Sequence, residues 1–363
     1  MSTQTATRAD RLADLVAERG LDALLVTGLV NVRWLTGFTG SNALSLVGAG
    51  PDGIRVFLTD FRYLTQSAEQ VPEGWAKDIA QELLPAVHER LPEGPLRLGF
   101  DDADLSVRDH AKLAESLREG VELAAAGGAV EELRAIKDET ELQAIRAAAK
   151  LADTALEEVL GRGLAGRTEH DVALDLELTI RRLGAQAVSF SPIVASGAHG
   201  ALPHAEPRDV PIEPGVLVVI DWGAQLDGYV SDCTRTLATG ELDPRDEEVY
   251  ELVRRAQEDA LAAVRPGPTG REVDAVAREI IDAAGHAEHF GHGLGHGVGL
   301  EVHEGPRLSK RSDDRLAAGQ VVTVEPGVYV PGAAGVRIED LVAVTEDGHE
   351  VFSSLPKELR VVA

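Results

Sequence analysis

The sequence predicts a smaller α/β domain followed by an α+β domain with an internal pseudo-two-fold. Three observations predict this. Helix and strand patterns alternate over roughly the first 120 residues, as in a layered α/β unit. From residue 138 onward the order helix, helix, strand hairpin occurs twice. The second helix of each copy opens on a matching cap motif, Thr168-x-x-Asp171 in one and Thr269-x-x-Glu272 in the other. A length of 363 residues leaves room for two to three domains at about 150 residues each.

In the first domain, residues 7–19 place Leu12, Leu15 and Val16 on one helical face, and Gly20 ends the run. Strands are expected at 21–26 and 55–58, helices at 82–91 and 106–117, and short strands at 96–100 and 121–123. Gly127-Gly128 reads as a linker, which gives domains 1–128 and 129–363. In the second domain, Asp138-x-x-Glu141 can cap a long helix over 138–160, and Thr168 opens a helix to about residue 183. A strand-rich stretch follows, to residue 239. Helices at 244–264 and 269–284, then strands at 321–330 and 336–344, repeat the order. The period is too long for a solenoid. Two copies related by a pseudo-two-fold would set equivalent hairpin faces opposite each other, around one central site.

Composition excludes several functions. Hydrophobic residues make up 44% and charged residues 26%, which rules out a disordered or collagen-like chain. Acidic residues number 61 against 35 basic ones, a formal net charge of −26, so neither nucleic acid nor an anionic membrane surface is an expected partner. Cys233 is the one cysteine, so no intramolecular disulfide forms and nothing points to an oxidising compartment. The opening MSTQTATRAD is polar, and no apolar run approaches the roughly 18 residues of a membrane span. Neither a secretory leader nor a membrane anchor is expected, and the expected location is the cytoplasm.

The chemistry concentrates in the second domain. Asp227-Gly228 is a strong two-residue hairpin turn. With that turn Leu226 faces Tyr229 and Gly223 faces Asp232. Asp221, Gly223, Asp232 and Thr234 then share one face, and Cys233 points to the other as a packed small hydrophobe. Asp221 and Asp232 become diagonal cross-strand neighbours, roughly 7–8 Å apart at the backbone and closer at their tips. Two carboxylates on so apolar a strand pair are costly to bury without protons or cations. The bland alternative is that one of them faces water. Residues 321–344 follow the same logic, with Glu325 and Glu339 in apolar runs on either side of a turn rich in Pro and Gly. One glutamate there would be an error in a purely structural sheet. Two, matching two aspartates in the equivalent hairpin, point to a shared ligand.

Between the hairpins runs His286-Ala-Glu-His289-Phe-Gly-His292-Gly-Leu-Gly-His296-Gly-Val-Gly-Leu-Glu-Val-His303, and seven of the eleven histidines fall between His199 and His303. Glycines at 291, 293, 295, 297 and 299 are expected to bare the backbone for close approach of a ligand or substrate. A phosphate cradle is disfavoured, because no Gly-Lys-Ser/Thr follows and no helix opens there. Four carboxylates with one neutral histidine suit two divalent cations, whose charge matches theirs. Two ions about 3.5–4 Å apart serve hydrolysis, polarising a carbonyl and acidifying a bridging water. With no thiolate in the set, Mn, Co and Zn are all eligible. A structural metal site is disfavoured, since such sites are usually closed tetrahedra rich in cysteine.

On these residues the chain resembles the Xaa-Pro peptidases, aminopeptidase P and prolidase, of the pita-bread metallopeptidase family M24. The likeness spans nearly the whole chain. Trp34-Leu-Thr-Gly-Phe-Thr-Gly-Ser41 and Thr59-Asp-Phe-Arg-Tyr63 are similar to the family's creatinase-type amino-terminal domain. Pro192-Ile-Val-Ala-Ser-Gly197 with Pro203-His204 is similar to its substrate-side segment. The resemblance implies a pita-bread (creatinase/aminopeptidase-like) catalytic domain in which Asp221, Asp232, His296, Glu325 and Glu339 bind two divalent ions. Asp232 and Glu339 would bridge them, with Mn2+ the first choice and Co2+ or Zn2+ the others. It also implies that His204, His292 and His303 bind substrate or assist proton transfer, with Tyr329 and Arg337 beside them. Glu325 is then the candidate proton shuttle to the leaving imino nitrogen. His303 is the candidate oxyanion stabiliser, His204 or His292 the holder of the proline side, and Phe190 a part of the pocket wall.

Expected substrates are small peptides with proline in second position, cleaved at the Xaa-Pro bond by an aminopeptidase. Cleavage of dipeptides only is the alternative, and a peptide- or protein-binding module on the same fold is the non-enzyme one. The intact ligand set argues against creatinase, which shares the fold but works without metal, and against non-catalytic relatives. The extra first domain argues against a simple methionine aminopeptidase. The resemblance further implies a homodimer.

Overall fold

Long apolar runs that show no alternation must be buried on both faces of a covered sheet. In the computed structural model, which describes residues 7–363, strands β1 (Ala23–Val26) and β2 (Ala43–Gly48) are such runs. They join β3 (Arg55–Thr59), β4 (Ala76–Ile79), β5 (Leu96–Phe100) and β6 (Val121–Ala125) in a mixed sheet of order β4-β3-β2-β1-β5-β6. Helices α1 (Arg8–Glu18), α2 (Leu29–Thr36), α3 (Leu64–Gln70), α4 (Leu83–Ala86), α5 (Val107–Ser116) and α6 (Ala129–Ala135) accompany them. The boundary between the two compact units of the chain falls between Arg134 and Ala135.

Five elements of this unit, α2, β2, α3, β4 and the seven-residue α6, carry no legible pattern in the sequence. β2 is buried throughout like β1, but Ser45 interrupts its apolar run, so neither alternation nor an unbroken run marks it. β4 is a short edge strand carrying the charged Lys77 and Asp78. α2 and α3 have only eight and seven residues. The helix expected at 82–91 becomes α4 followed by a 3₁₀ turn at Val87–Arg90, where Pro92 holds Leu91 in extended backbone (ψ 141°).

The second unit is built twice. Helices α7 (Glu139–Leu160) and α8 (Glu169–Arg182) are capped by Asp138 and Thr168, and α9 (Pro244–Ala263) and α10 (Gly270–Ala283) by Asp243 and Thr269. Capping boxes form at Asp138 and Thr269. After the first helix pair come β7 (Ala187–Val188), β8 (Ile193–Ser196), β9 (Leu217–Trp222), β10 (Ala224–Leu226), β11 (Tyr229–Val230) and β12 (Cys233–Ala238). After the second pair come β13 (Gly295–Gly297), β14 (Glu304–Leu308), β15 (Val321–Val324), β16 (Gly327–Val330), β17 (Ala334–Arg337), β18 (Asp340–Val344) and β19 (His349–Val351). Each half has its own core. Leu156, Val172, Leu176 and Ile180 pack with Val218 and Ile220 in one. Val253, Ala256, Val273 and Ile281 pack with Val322 and Val342 in the other. At about 1.5–3 kcal/mol per fully buried Val, Leu or Ile, these faces are what hold each helix pair on its strands.

The first hairpin has the expected register. Asp227 and Gly228 both take positive φ (49° and 81°), as a tight hairpin turn demands. Leu226 faces Tyr229, Trp222 faces Cys233 and Asp221 faces Thr234. Cys233 is buried on the helix side. The second hairpin differs, because the strands expected at 321–330 and 336–344 each break. β15 pairs with β18 and β16 with β17, leaving Glu325 and Glu339 in the gap. Pro326 has no N–H for a ladder, and Glu325 N donates instead to Leu294 O (2.8 Å). Val324 opposes Asp340 on one side of the gap and Gly327 opposes Arg337 on the other, so the two glutamates face each other across it.

Among the described residues no helix is long and apolar enough to cross a membrane. Of the polar opening stretch, residues 1–6 lie outside the described residues.

Candidate metal centre

Five donors reach the site from four segments. Asp221 lies near the end of β9, Asp232 just before β12, Glu325 and Glu339 in the hairpin gap, and His296 at the middle of β13. All five line one cavity of about 660 Å³. Asp232, His296 and Glu339 are buried, with donor atoms within 4.8 Å of one another. His296 Nε2 lies 3.3 Å from Glu325 Oε1 and 3.6 Å from Asp232 Oδ2.

The glycines around His296 serve the sheet as well as the cavity, where Gly293 and Gly295 stand on the lining. β13 is wedged between β14 and β15. A Cβ on Gly295 would meet Thr323 O at 2.0 Å, and one on Gly297 would meet Gly305 O at 2.0 Å. The close approach is therefore that of neighbouring backbone, and it is what admits His296 to the middle of the sheet.

The donors are half satisfied by the protein. Arg337 Nη2 donates to Asp221 Oδ2 (2.7 Å), and Thr234 Oγ1 donates to Glu339 Oε2 (2.7 Å). Asp221 Oδ1 and Glu339 Oε1 are buried without a hydrogen-bond partner. His296 Nδ1 donates to Gly297 O (3.1 Å), which turns the Nε2 lone pair towards the carboxylates. Burial and the surrounding carboxylates push Asp232 and Glu339 well above the ordinary carboxylate range. Burial raises Asp221 too, against the pull of Arg337. At Glu325 burial is outweighed by His296, His292 and Arg337, which hold it below the usual range. An unpaired buried ion costs several kcal/mol, and one guanidinium cannot offset four carboxylates. Unpartnered carboxylate oxygens beside an imidazole lone pair form an oxygen-rich donor set that fits a divalent cation.

The remaining residues singled out from the sequence, His204, His292, His303, Tyr329, Arg337 and Phe190, line the same cavity. Arg337 Nη1 donates to Tyr329 Oη (2.9 Å), Tyr329 Oη donates to His292 Nε2 (3.0 Å), and His292 Nδ1 donates to Gly293 O (2.7 Å). Both ring nitrogens of His292 are thus engaged within the protein. Burial lowers the His292 pKa and pushes the Tyr329 phenol up to about 12. His303 packs edge-on against His296, with ring centroids 4.4 Å apart, and its pKa is lowered by burial and by that neighbour. His204 is exposed on the wall. His286 and His289, from the same sequence run, pair with each other instead (3.0 Å). Arg307 also lines the cavity, opposite His296 in the β13–β14 pairing. It escapes a reading by pattern because Gly305-Pro306 disguises its strand. The pairing partner of a ligand strand was the signal that would have found it.

Known proteins share this architecture. Residues 143–346 match metallopeptidase family M24, and residues 8–136 match the creatinase/prolidase N-terminal domain. The chain is 34% identical to a Pyrococcus furiosus protein named Xaa-Pro dipeptidase, over 97% of this chain and 99% of that protein. It superposes on the solved structure of an Xaa-Pro dipeptidase from Bacillus anthracis with a TM-score of 0.93, at 39% identity and covering 98% of this chain and 99% of that one. For the X-Pro aminopeptidase from Thermotoga maritima the TM-score is 0.86, at 34% identity and covering 95% and 99%. The chain therefore belongs to metallopeptidase family M24, with a creatinase/prolidase N-terminal domain ahead of a pita-bread catalytic domain, and is a metal-dependent peptidase.

Proposed function

We propose that this chain is an Xaa-Pro dipeptidase that works with two divalent cations, Mn2+ first among them, held by Asp221, Asp232, His296, Glu325 and Glu339. The observation that carries the metal assignment is the convergence of these donors with two buried carboxylate oxygens left unpartnered. The sequence alone favours Xaa-Pro cleavage from longer peptides. The names of the P. furiosus and B. anthracis relatives weigh instead for dipeptides. Arg307 on the cavity wall weighs the same way. A dipeptide carries its carboxylate directly on the proline, and a guanidinium is the side chain best shaped to receive it. The likeness to the T. maritima aminopeptidase supports longer peptides as the second reading.

When bound, the two cations would polarise the scissile carbonyl and lower the pKa of the attacking water. Glu325, held ionised, takes up the proton released at the attacking oxygen and passes it to the imino nitrogen of the leaving proline. His303, neutral at pH 7, donates to the oxyanion. An Xaa-Pro bond has no amide N–H to grip, so the ring itself must be recognised, with Phe190 on the wall and His204 at the proline side. His292, with both nitrogens engaged, steadies Tyr329. The test compares hydrolysis of Ala-Pro, Ala-Pro-Ala and Ala-Ala by Mn-supplemented protein. Ala-Pro alone is expected to be cleaved, and Arg307→Ala is expected to raise its KM about tenfold or more. Equal cleavage of Ala-Pro-Ala would establish the aminopeptidase reading, and equal cleavage of Ala-Ala would remove the proline specificity.

A further inference from the structure

Glu169 is the first residue of α8, and it is fully buried. A buried carboxylate persists only where donors saturate it. Oε1 accepts from Ser196 N (2.8 Å), Ser196 Oγ (2.7 Å) and Arg208 Nη2 (3.0 Å). Oε2 accepts from His199 Nδ1 (2.9 Å), Arg208 N (3.1 Å) and Arg208 Nε (3.0 Å). These bonds outweigh burial and lower its pKa to about 2. The helix does not need this carboxylate as its cap, because Thr168 already fills that role.

What the donors share is their place along the chain. Ser196 ends β8 and Arg208 closes the loop that follows, so one carboxylate gathers both ends of the segment 196–208. Between those ends Pro203, His204, Ala205 and Glu206 run along the cavity wall. The loop is also fastened to the other half of the unit. Arg337 Nη1 donates to Pro203 O (3.2 Å), and Gly200 lies so close to β17 that a Cβ on Gly335 would meet Gly200 O at 1.8 Å. Only glycine permits that approach.

We propose that Glu169 is a positioning residue that clamps the base of the 196–208 loop and so sets His204 in place against the substrate. Its kinetic consequence rests on the Xaa-Pro assignment above, whereas its structural consequence does not. Glu169→Gln keeps the shape and removes the charge that draws Arg208 and His199 inward. It is expected to speed amide hydrogen exchange across residues 197–207 at least tenfold and to leave the metal content unchanged. It is expected to raise the KM for Ala-Pro about tenfold while kcat stays within about twofold. Arg208→Ala, which truncates a part-exposed side chain, should move exchange and KM in the same direction by a smaller factor, and serves if Glu169→Gln does not fold. In a His204→Ala background, Glu169→Gln should add no further rise in KM, since both act through one contact. Unchanged exchange over 197–207 in both variants, additive KM effects, or a loss confined to kcat would overturn the proposal. The exchange measurement uses no substrate, so a chain that leaves Ala-Pro intact would sink the substrate assignment while the clamp is still decided.

Discussion

Tyr329 illustrates how much of the site depends on single hydrogen atoms. Its hydroxyl accepts from Arg337 and donates to His292, and Arg337 in turn holds Asp221. Tyr329→Phe removes that hydroxyl but none of the five residues proposed to hold metal. Losing a bond to a charged partner costs about 1.5–3 kcal/mol. The expected result is a fall in kcat/KM for Ala-Pro of about ten- to a hundredfold with metal content intact, measured by steady-state kinetics beside elemental analysis. Loss of metal in parallel would mean that the tyrosine supports the centre itself. At this scale the sequence was informative wherever a charge stood in an apolar strand. Asp221, Asp232, Glu325 and Glu339 are anomalies that a pattern exposes. Arg307 is not, because an arginine on a strand looks like any solvated charge until its partner strand is known. Glu169 is hidden for the same reason, since Thr168-Glu169 reads as an ordinary helix start.

Among the elements, Asp101 at the end of β5 ties that strand to the start of α2, accepting from Thr27 N (3.1 Å), Gly28 N (3.2 Å) and Asn31 Nδ2 (3.3 Å). Burial raises its pKa from 3.8 to about 6. A raised carboxylate contributes its full stability below about pH 3.8 and loses it as pH rises through about 6. Asp101→Asn cannot ionise and escapes that loss. The unfolding free energy of the variant relative to the parent should therefore rise by about 2 kcal/mol between pH 4 and pH 7.5, read from urea curves at both pH values. A difference that does not move with pH would contradict the buried, raised carboxyl. Elements were legible where local chemistry forces them. Asp227-Gly228 dictates a turn, and the turn dictates which aspartates share a face. The break in the second hairpin was legible only in hindsight, because Pro326 forbids one ladder bond without saying how far the interruption extends. β2 and β4 were illegible for different reasons, one a buried run interrupted by Ser45 and the other a charged edge.

For the molecule as a whole, duplication explains why the site exists. Two copies of a helix pair and hairpin each bury their own core, and each hairpin supplies two carboxylates to the shared cavity. His296 joins them from β13, which lies beside β15 as β8 lies beside β9, and Arg337 of the second copy reaches Asp221 of the first. The doubled order and the caps at Asp138, Thr168 and Thr269 make this arrangement readable in the sequence. What the sequence could not supply was proximity. His286 and His292 look alike in it, yet only one of them lines the cavity. The excess of 61 acidic over 35 basic residues draws divalent cations towards the chain in general. A specific centre must therefore be told apart from loose electrostatic attraction, which salt screens and dialysis removes. Elemental analysis of Mn-supplemented, exhaustively dialysed protein makes that distinction most directly, with Asp232→Ala alongside and Ala-Pro turnover recorded on the same samples. The expected result is two divalent ions retained per chain, with retention and turnover lost together in Asp232→Ala; full turnover by protein that retains no metal would contradict it.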